Sequence, residues 1–157
     1  AMNDEETTSP ENEFLIGTDT RVMRPRPGWK GESLLGRASA GAQFLQTWLC
    51  FDINVLHQYM AMLVEARITW NYSVIVSLAP LPSADSARWL MENTRDCLIP
   101  ETLIARLDSA EDPEAEGVAI CAELMRLIAT IPGISGVNLL TPGKPESTVA
   151  AIRESGL

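Results

Sequence analysis

Apolar runs recur along the chain at nearly constant intervals. Three of them span residues 14–18, 44–49 and 73–79, and a fourth spans residues 136–141. An interval of about thirty residues is the length of one strand-plus-helix unit. The runs are not cleanly broken by alternating polar residues, which is typical of parallel strands that are covered on both faces. The pattern therefore predicts four parallel strands.

Segments with helical spacing lie between these runs. Residues 53–67, for example, place apolar side chains on one stripe, as expected for a helix that packs on a sheet. Each predicted helix begins at a residue suited to a helix N-terminus, by capping or by occupying the first turn: Asp52, Ser83, Pro100, Asp112 with Pro113, and Pro145. Strands and helices alternate, with two helices before the fourth strand, so the pattern predicts parallel strands joined by right-handed crossovers.

Two architectures fit this order of elements. One is a small open α/β sheet, and the other is half of a TIM-type (β/α)8 barrel, since four strands cannot close a barrel of eight. A half-barrel leaves two sheet edges open, which favours self-association or a partner. In both architectures ligands bind outside the carboxyl ends of the strands.

The second run contains polar groups that a core strand does not need. It reads GAQFLQTWLCFD over residues 41–52, with Gln46, Thr47 and Trp48 in its middle. Near the end of a parallel strand, an amide and an indole could face a ligand at the mouth of the barrel. They could equally be interior groups that satisfy each other or the backbone. Both interpretations stay open for Gln46 and Trp48.

Charge is distributed unevenly along the 157 residues. The net charge is −9, and residues 1–13 contain five acidic and no basic side chains, so we expect a disordered acidic tail followed by one domain over residues 14–157. The next stretch is basic, with Arg24, Arg26, Lys30 and Arg37. An acidic total argues against nucleic-acid binding, but the basic stretch could bind a phosphate or a carboxylate.

The rest of the composition argues against a membrane protein and against a metalloprotein. No apolar run is long enough for a membrane span, so no membrane partner is expected. The three cysteines lack metal-ligand spacing and there is one histidine, so we expect no metal site and read the cysteines as buried, reduced thiols of a cytoplasmic protein.

Five segments, taken in order, resemble the C-terminal half of the methylenetetrahydrofolate reductase family. They are FLIGTD, GRASAGAQFLQTWLCFD, IVSLAPLPS, LIPETLIARLDSAEDPEAEGVAICAEL and GVNLLTPGKPESTVAAI. The resemblance implies a flavoprotein built on a (β/α)8 barrel, in which NAD(P)H reduces FAD and the flavin passes a hydride to methylenetetrahydrofolate. It also implies that this chain supplies about the last four strands of such a barrel.

The resemblance assigns roles to particular positions. Arg37 falls where the family has a basic contact to FAD, and Trp48 falls where a glutamine usually binds the pterin, with Gln46 two residues earlier. Leu107 falls at an aromatic position near the pterin, and Lys144 at a basic contact to the folate tail. No residue matches the family's general acid, so the resemblance assigns no catalytic residue.

Two functions follow as hypotheses. The first is part of a methylenetetrahydrofolate reductase-like flavoenzyme of one-carbon metabolism and methionine biosynthesis, which binds FAD, NAD(P)H and a folate. The second is a non-catalytic half-barrel module that pairs with a separate N-terminal half, another subunit or a second copy of itself. The sequence leaves open whether the chain alone is an enzyme.

Overall fold

A computed structural model describes residues 14–24, 26–94 and 97–157 of the chain. The strands are β1 (Gly17–Thr20), β2 (Phe44–Leu49), β3 (Ser73–Leu78) and β4 (Ile134–Leu139). The helices are α1 (Glu32–Ser39), α2 (Ile53–Glu65), α3 (Ala84–Asn93), α4 (Glu101–Ser109), α5 (Pro113–Ala129) and α6 (Pro145–Ser155). The acidic segment 1–13, for which we expect disorder, lies outside the described residues.

All four strands pair in parallel, and their order in the sheet, β1-β2-β3-β4, is their order in the chain. A doubly wound sheet reverses its strand order at a switch point, whereas consecutive strands of a barrel do not. The predicted fold class is therefore confirmed: the chain is an α/β protein with the strand arrangement of half a TIM-type barrel. Both outer strands have one edge without a neighbouring strand among the described residues.

One face of the sheet is covered by helices. Leu45 of β2 and Val74, Val76 and Leu78 of β3 are fully buried, and they share one core with the apolar sides of α2 and α5. Because side chains alternate along a strand, Phe44, Gln46 and Ile75 lie on the opposite face, where they are only half-buried. That second face corresponds to the inside of a barrel.

The helices begin where the sequence predicts them. The Asp52 carboxylate accepts hydrogen bonds from the Asn54 and Val55 backbone N–H groups at 3.0 and 3.1 Å and so caps α2. Asp112 caps α5 in the same way, and Ser83 caps α3. These caps satisfy backbone donors that have no partner within the helix.

The outer strands are displaced from the predicted runs. β1 is Gly17–Thr20 rather than residues 14–18, and Phe14, Leu15 and Ile16 are exposed side chains that precede it. The cause is the edge position of β1, where a polar sequence is tolerated because one edge of the strand has no neighbouring strand among the described residues. β4 likewise begins and ends two residues earlier than predicted, and Leu140 still donates its N–H to the Leu78 carbonyl.

A β-bulge in β2 explains why a threonine lies in a buried strand. Between Gln46 and Leu49 the register against β3 shifts by one residue, since Gln46 pairs with Ile75 but Leu49 pairs with Ser77. The Ser77 N–H donates to the Thr47 hydroxyl at 3.0 Å, and both residues are buried. The hydroxyl thus replaces a backbone acceptor that the bulge removes from the ladder.

Two further observations concern the cysteines and the helices. All three cysteines, Cys50, Cys97 and Cys121, are buried and unpaired as expected, and burial raises the pKa of Cys50 and of Cys121 to about 12. Among the described residues, the helices are all too short or too polar to cross a membrane.

Replacement of Thr47 by valine tests the role of the bulge. Valine has nearly the same shape but leaves the buried Ser77 N–H without an acceptor, so we expect a loss of about 1–3 kcal/mol in the free energy of unfolding. Thr47→Ser keeps the hydroxyl and loses one methyl group, for which we expect about 1 kcal/mol. Urea denaturation compares the two variants with the parent chain, and a valine variant as stable as the parent chain would contradict the assignment.

Candidate functional site

A groove lies at the carboxyl ends of β1 and β2. Its volume is about 510 Å³, within the range of small-molecule sites. One wall is formed by the end of β1 and the loop that follows it, and another by α1. Trp48 of β2 and Leu98, which comes after α3, complete the lining. This is the sheet edge at which parallel α/β proteins bind ligands.

The Trp48 indole is held in place from two directions. Its Nε1 donates a hydrogen bond to Asp19 Oδ2 at 2.7 Å. The guanidinium carbon of Arg21 lies 4.9 Å from the centroid of the indole ring, in a cation–π contact. The orientation of the ring is therefore fixed by a carboxylate within β1 and a cation directly after it.

Arg37 connects α1 to the end of β1. Its Nη1 donates to the Thr18 hydroxyl at 3.1 Å and to the Asp19 carbonyl at 2.7 Å, and it lies 4.0 Å from Asp19 Oδ1. The Arg37 side chain is 46% exposed and lines the groove. Arg37 thus holds the end of β1 in place. Part of its guanidinium group stays accessible to a ligand.

Two tyrosines support the groove from below. The Tyr59 hydroxyl of α2 lies 2.6 Å from the Thr20 hydroxyl at the end of β1, and the Tyr72 hydroxyl donates to the Leu34 carbonyl of α1. Burial raises the pKa of Tyr59 and of Tyr72 above that of an ordinary phenol, so both stay protonated at neutral pH. They act as hydrogen-bonding supports for β1 and α1.

Gln46 lies on the same face as Asp19 and Trp48. It is the register partner of Asp19, it is half-buried, and within the described parts of the chain its side-chain amide has no hydrogen-bond partner. On the next strands, the Asn138 amide of β4 donates to the Ser77 hydroxyl of β3 at 3.4 Å. The inner face of the sheet therefore carries amide groups on β2 and on β4.

The other two predicted site residues lie elsewhere. Leu107 is 1% exposed and belongs to the core beneath α4, so its side chain does not line the groove. Leu98, which is 41% exposed, contributes an apolar side chain to the lining there. It follows Cys97, and it forms a parallel bridge with Cys50 directly after β2.

Lys144 lies farther along the rim, after β4. Its Nζ donates to Glu114 Oε2 at 2.8 Å, and the Ser147 hydroxyl donates to the other oxygen of that carboxylate. These hydrogen bonds lower the pKa of Glu114, and the carboxylate raises the pKa of Lys144. The Lys144 side chain is 71% exposed, but its charge is already matched in this chain.

Several residues that line the groove were given no individual role from the sequence, among them Asp19, Arg21 and Leu98. The position of residues 18–20 after the first predicted strand indicated that they lie at the rim, but it did not indicate a bond to Trp48. Nothing in the sequence around Leu98 indicates that it lines the groove, because its position there depends on the bridge to Cys50.

Comparison with protein families identifies the chain. The family model described as Methylenetetrahydrofolate reductase matches residues 25–156, which is most of the sequence. The chain therefore belongs to the methylenetetrahydrofolate reductase family. No curated protein matches it.

A solved structure has a similar fold. It is an uncharacterized protein from Clostridium thermocellum that binds two copies of 5-methyl-5,6,7,8-tetrahydrofolic acid. The two proteins superpose with a TM-score of 0.51 and share 17% sequence identity. The superposition covers 79% of this chain and 46% of that protein, so this chain spans about half of its length. At this identity the likeness concerns the fold alone.

Replacement of Asp19 tests how Trp48 is held. Asp19→Ala removes the acceptor of the indole N–H, so we expect this proton to exchange with water faster and its NMR signal to move upfield. Asp19→Asn keeps an acceptor oxygen and should preserve most of the shift. If the alanine variant leaves the Trp48 indole signal unchanged, the carboxylate does not hold the ring.

Proposed function

We propose that the groove and the adjoining inner face of the sheet bind a reduced folate, and that the chain acts as part of a methylenetetrahydrofolate reductase-like flavoenzyme of cytoplasmic one-carbon metabolism. The observation that carries the proposal is the fixed indole of Trp48 beside the Gln46 amide, at the carboxyl ends of the strands. Membership of the family supports the substrate class. The folate bound by the structurally similar protein from Clostridium thermocellum is consistent with it.

The pterin is a flat heterocycle with hydrogen-bonding edges. Trp48 offers a flat aromatic surface, and the Gln46 amide offers both a donor and an acceptor on the same face of the sheet. Leu98 would provide the apolar contact that the resemblance assigned to Leu107, because Leu98 lines the groove and Leu107 is buried. Where the family has a glutamine, this chain would therefore bind the ring mainly by stacking.

Lys144 is proposed to contact a carboxylate of the folate tail. The contact would compete with Glu114, because the Lys144 ammonium already lies 2.8 Å from that carboxylate. Exposed ion pairs of this kind contribute little to stability, so a ligand carboxylate could replace Glu114 at small cost.

The residues of the groove fit part of FAD. Guanidinium groups match phosphate oxygens by two-point hydrogen bonding, and the accessible part of Arg37 faces the groove. When bound, FAD would supply the hydride chemistry, accepting a hydride from NAD(P)H and giving it to methylenetetrahydrofolate. Asp19 is the one carboxylate among the described groove residues, and it is engaged with Trp48 and Arg37, so we assign no catalytic acid.

Calorimetric titration with 5-methyltetrahydrofolate tests the folate site. Stacking of a flat ring on an aromatic side chain contributes about 1–3 kcal/mol, so Trp48→Ala should weaken binding roughly tenfold or more. Trp70→Ala is the control, because it removes an exposed indole that follows α2, away from the groove. Absence of binding by the parent chain, or equal losses in both variants, would contradict the proposal.

The open sheet edges favour a second candidate function. Within the described residues β1 and β4 each pair on one side only, and unpaired strand edges favour association. The chain also covers less than half of the structurally similar protein. On this second proposal the chain is a non-catalytic module whose edges are covered by a complementary half-barrel or by a second copy of itself.

Titration with FAD separates the two candidates. If the chain carries the flavin contacts, the visible absorbance of FAD should shift on binding, and Arg37→Gln should reduce the affinity about tenfold. If FAD does not bind while sedimentation shows a stable dimer, the module proposal is favoured. Lys30→Gln provides a control for charge alone, because Lys30 follows the same strand but does not line the groove.

A further inference from the structure

The β-bulge of β2 removes Trp48 from the ladder with β3. Gln46 pairs with Ile75 of β3. Three residues further along β2, Leu49 pairs with Ser77, which is only two residues further along β3. An unbroken ladder would pair Trp48 with Ser77, but in the structure Leu49 has that place. The extra residue of the bulge therefore leaves the Trp48 side chain free to turn away from β3.

The Trp48 side chain turns towards β1. The last pair between β1 and β2 is Thr20 with Thr47, so Trp48 lies one residue beyond the paired part of β1. Its indole N–H nevertheless reaches back to Asp19, the register partner of Gln46, and donates to Oδ2 at 2.7 Å. Bulges beside binding sites re-aim side chains in this way. The position of the indole in the groove thus depends on the bulge.

The two ends of the bulge are fixed by one residue of β3. The Ser77 N–H donates to the Thr47 hydroxyl at 3.0 Å, and the Ser77 carbonyl accepts the Cys50 N–H at 3.1 Å. Thr47 and Ser77 are both buried, so the hydroxyl is the acceptor that keeps a buried backbone donor satisfied. Any other course of β2 at this point would leave that N–H without a partner or require a new one.

A second residue of the groove depends on the same irregularity. Cys50, the first residue after β2, forms a parallel bridge with Leu98, and Leu98 lines the groove. A change of one residue in the register of β2 would remove Cys50 from this position. Trp48 and Leu98 come from distant parts of the sequence, yet the bulge sets the position of both.

We propose that Thr47 is a positioning residue for the groove. Its hydroxyl holds the bulge, and the bulge directs the Trp48 indole into the groove and sets Cys50 against Leu98. Thr47 touches no ligand and acts only through Trp48 and Leu98. The consequence for ligand binding rests on the proposed folate site, whereas the effect on the Trp48 indole does not.

NMR spectra of the indole N–H protons test the positioning role. The chain has four tryptophans, and Trp48→Phe identifies the Trp48 signal. Thr47→Val removes the hydroxyl and keeps the shape, so we expect the Trp48 signal to move upfield and its proton to exchange faster with water. Thr47→Ser keeps the hydroxyl and should leave the signal near its position in the parent chain. Sucrose in the sample favours the folded state of each variant.

Ile128→Val is the control for a loss of stability alone. It removes one methyl group from a buried side chain of α5 and leaves β2 unchanged. We expect it to lower the melting temperature without moving the Trp48 signal. Thr47→Ala is a second variant without the hydroxyl and should show the same spectral change as Thr47→Val. The proposal is overturned if both variants leave the Trp48 signal in place, or if Ile128→Val moves it as far.

Calorimetric titration with 5-methyltetrahydrofolate measures the consequence for binding. Thr47→Val should weaken binding about tenfold, because the stacking surface is no longer held in place, and Thr47→Ser should bind like the parent chain. If the parent chain binds and Thr47→Val binds equally well, Thr47 does not position the groove. Absence of binding by the parent chain would contradict the folate site alone, and the indole spectra would still decide the role of Thr47.

Discussion

Parallel pairing of four consecutive strands is the constraint from which the site follows. Parallel strands end at the same edge of the sheet, and their connections must return over one face. Every segment that follows a strand is therefore brought to one rim, and the helices leave the other face of the sheet uncovered. The groove forms where this rim meets the uncovered face.

The end of β1 converts this rim into an ordered surface. Asp19 accepts the Trp48 indole N–H with one carboxylate oxygen and faces Arg37 with the other, while its carbonyl accepts a hydrogen bond from Arg37. Tyr59 adds a contact to Thr20 from beneath the sheet. A four-residue edge strand is a weak element alone, and these side chains from α1, α2 and β2 give it a defined position.

The sequence predicted the buried elements of the fold more accurately than the exposed edge strand. The central strands β2 and β3 are mostly apolar because both of their edges and one face are covered, and the sequence located them correctly. The helix caps at Asp52, Ser83 and Asp112 are local signals that the structure confirms. β1 was placed three residues too early because its own residues are polar. The predicted strand simply followed the nearest apolar run, which lies outside the sheet.

The site was less predictable, for two physical reasons. The roles of Thr47 and Leu98 depend on a bulge and on an isolated bridge, and neither has a signature in nearby residues. The roles of Leu107 and Lys144 came from a resemblance that fixes positions along the chain, whereas burial of Leu107 and the Glu114 partner of Lys144 depend on how α4 and α5 pack.

The hydrogen bond between Trp48 and Asp19 also has a consequence for sequence divergence. An indole has one donor and no acceptor, so a tryptophan at position 48 requires an acceptor at position 19, whereas a glutamine there could satisfy itself with either kind of partner. Positions 19 and 48 should therefore change together among relatives. An acidic residue at 19 would accompany tryptophan at 48, and would be less constrained in relatives with glutamine at 48, where its contact to Arg37 alone would remain.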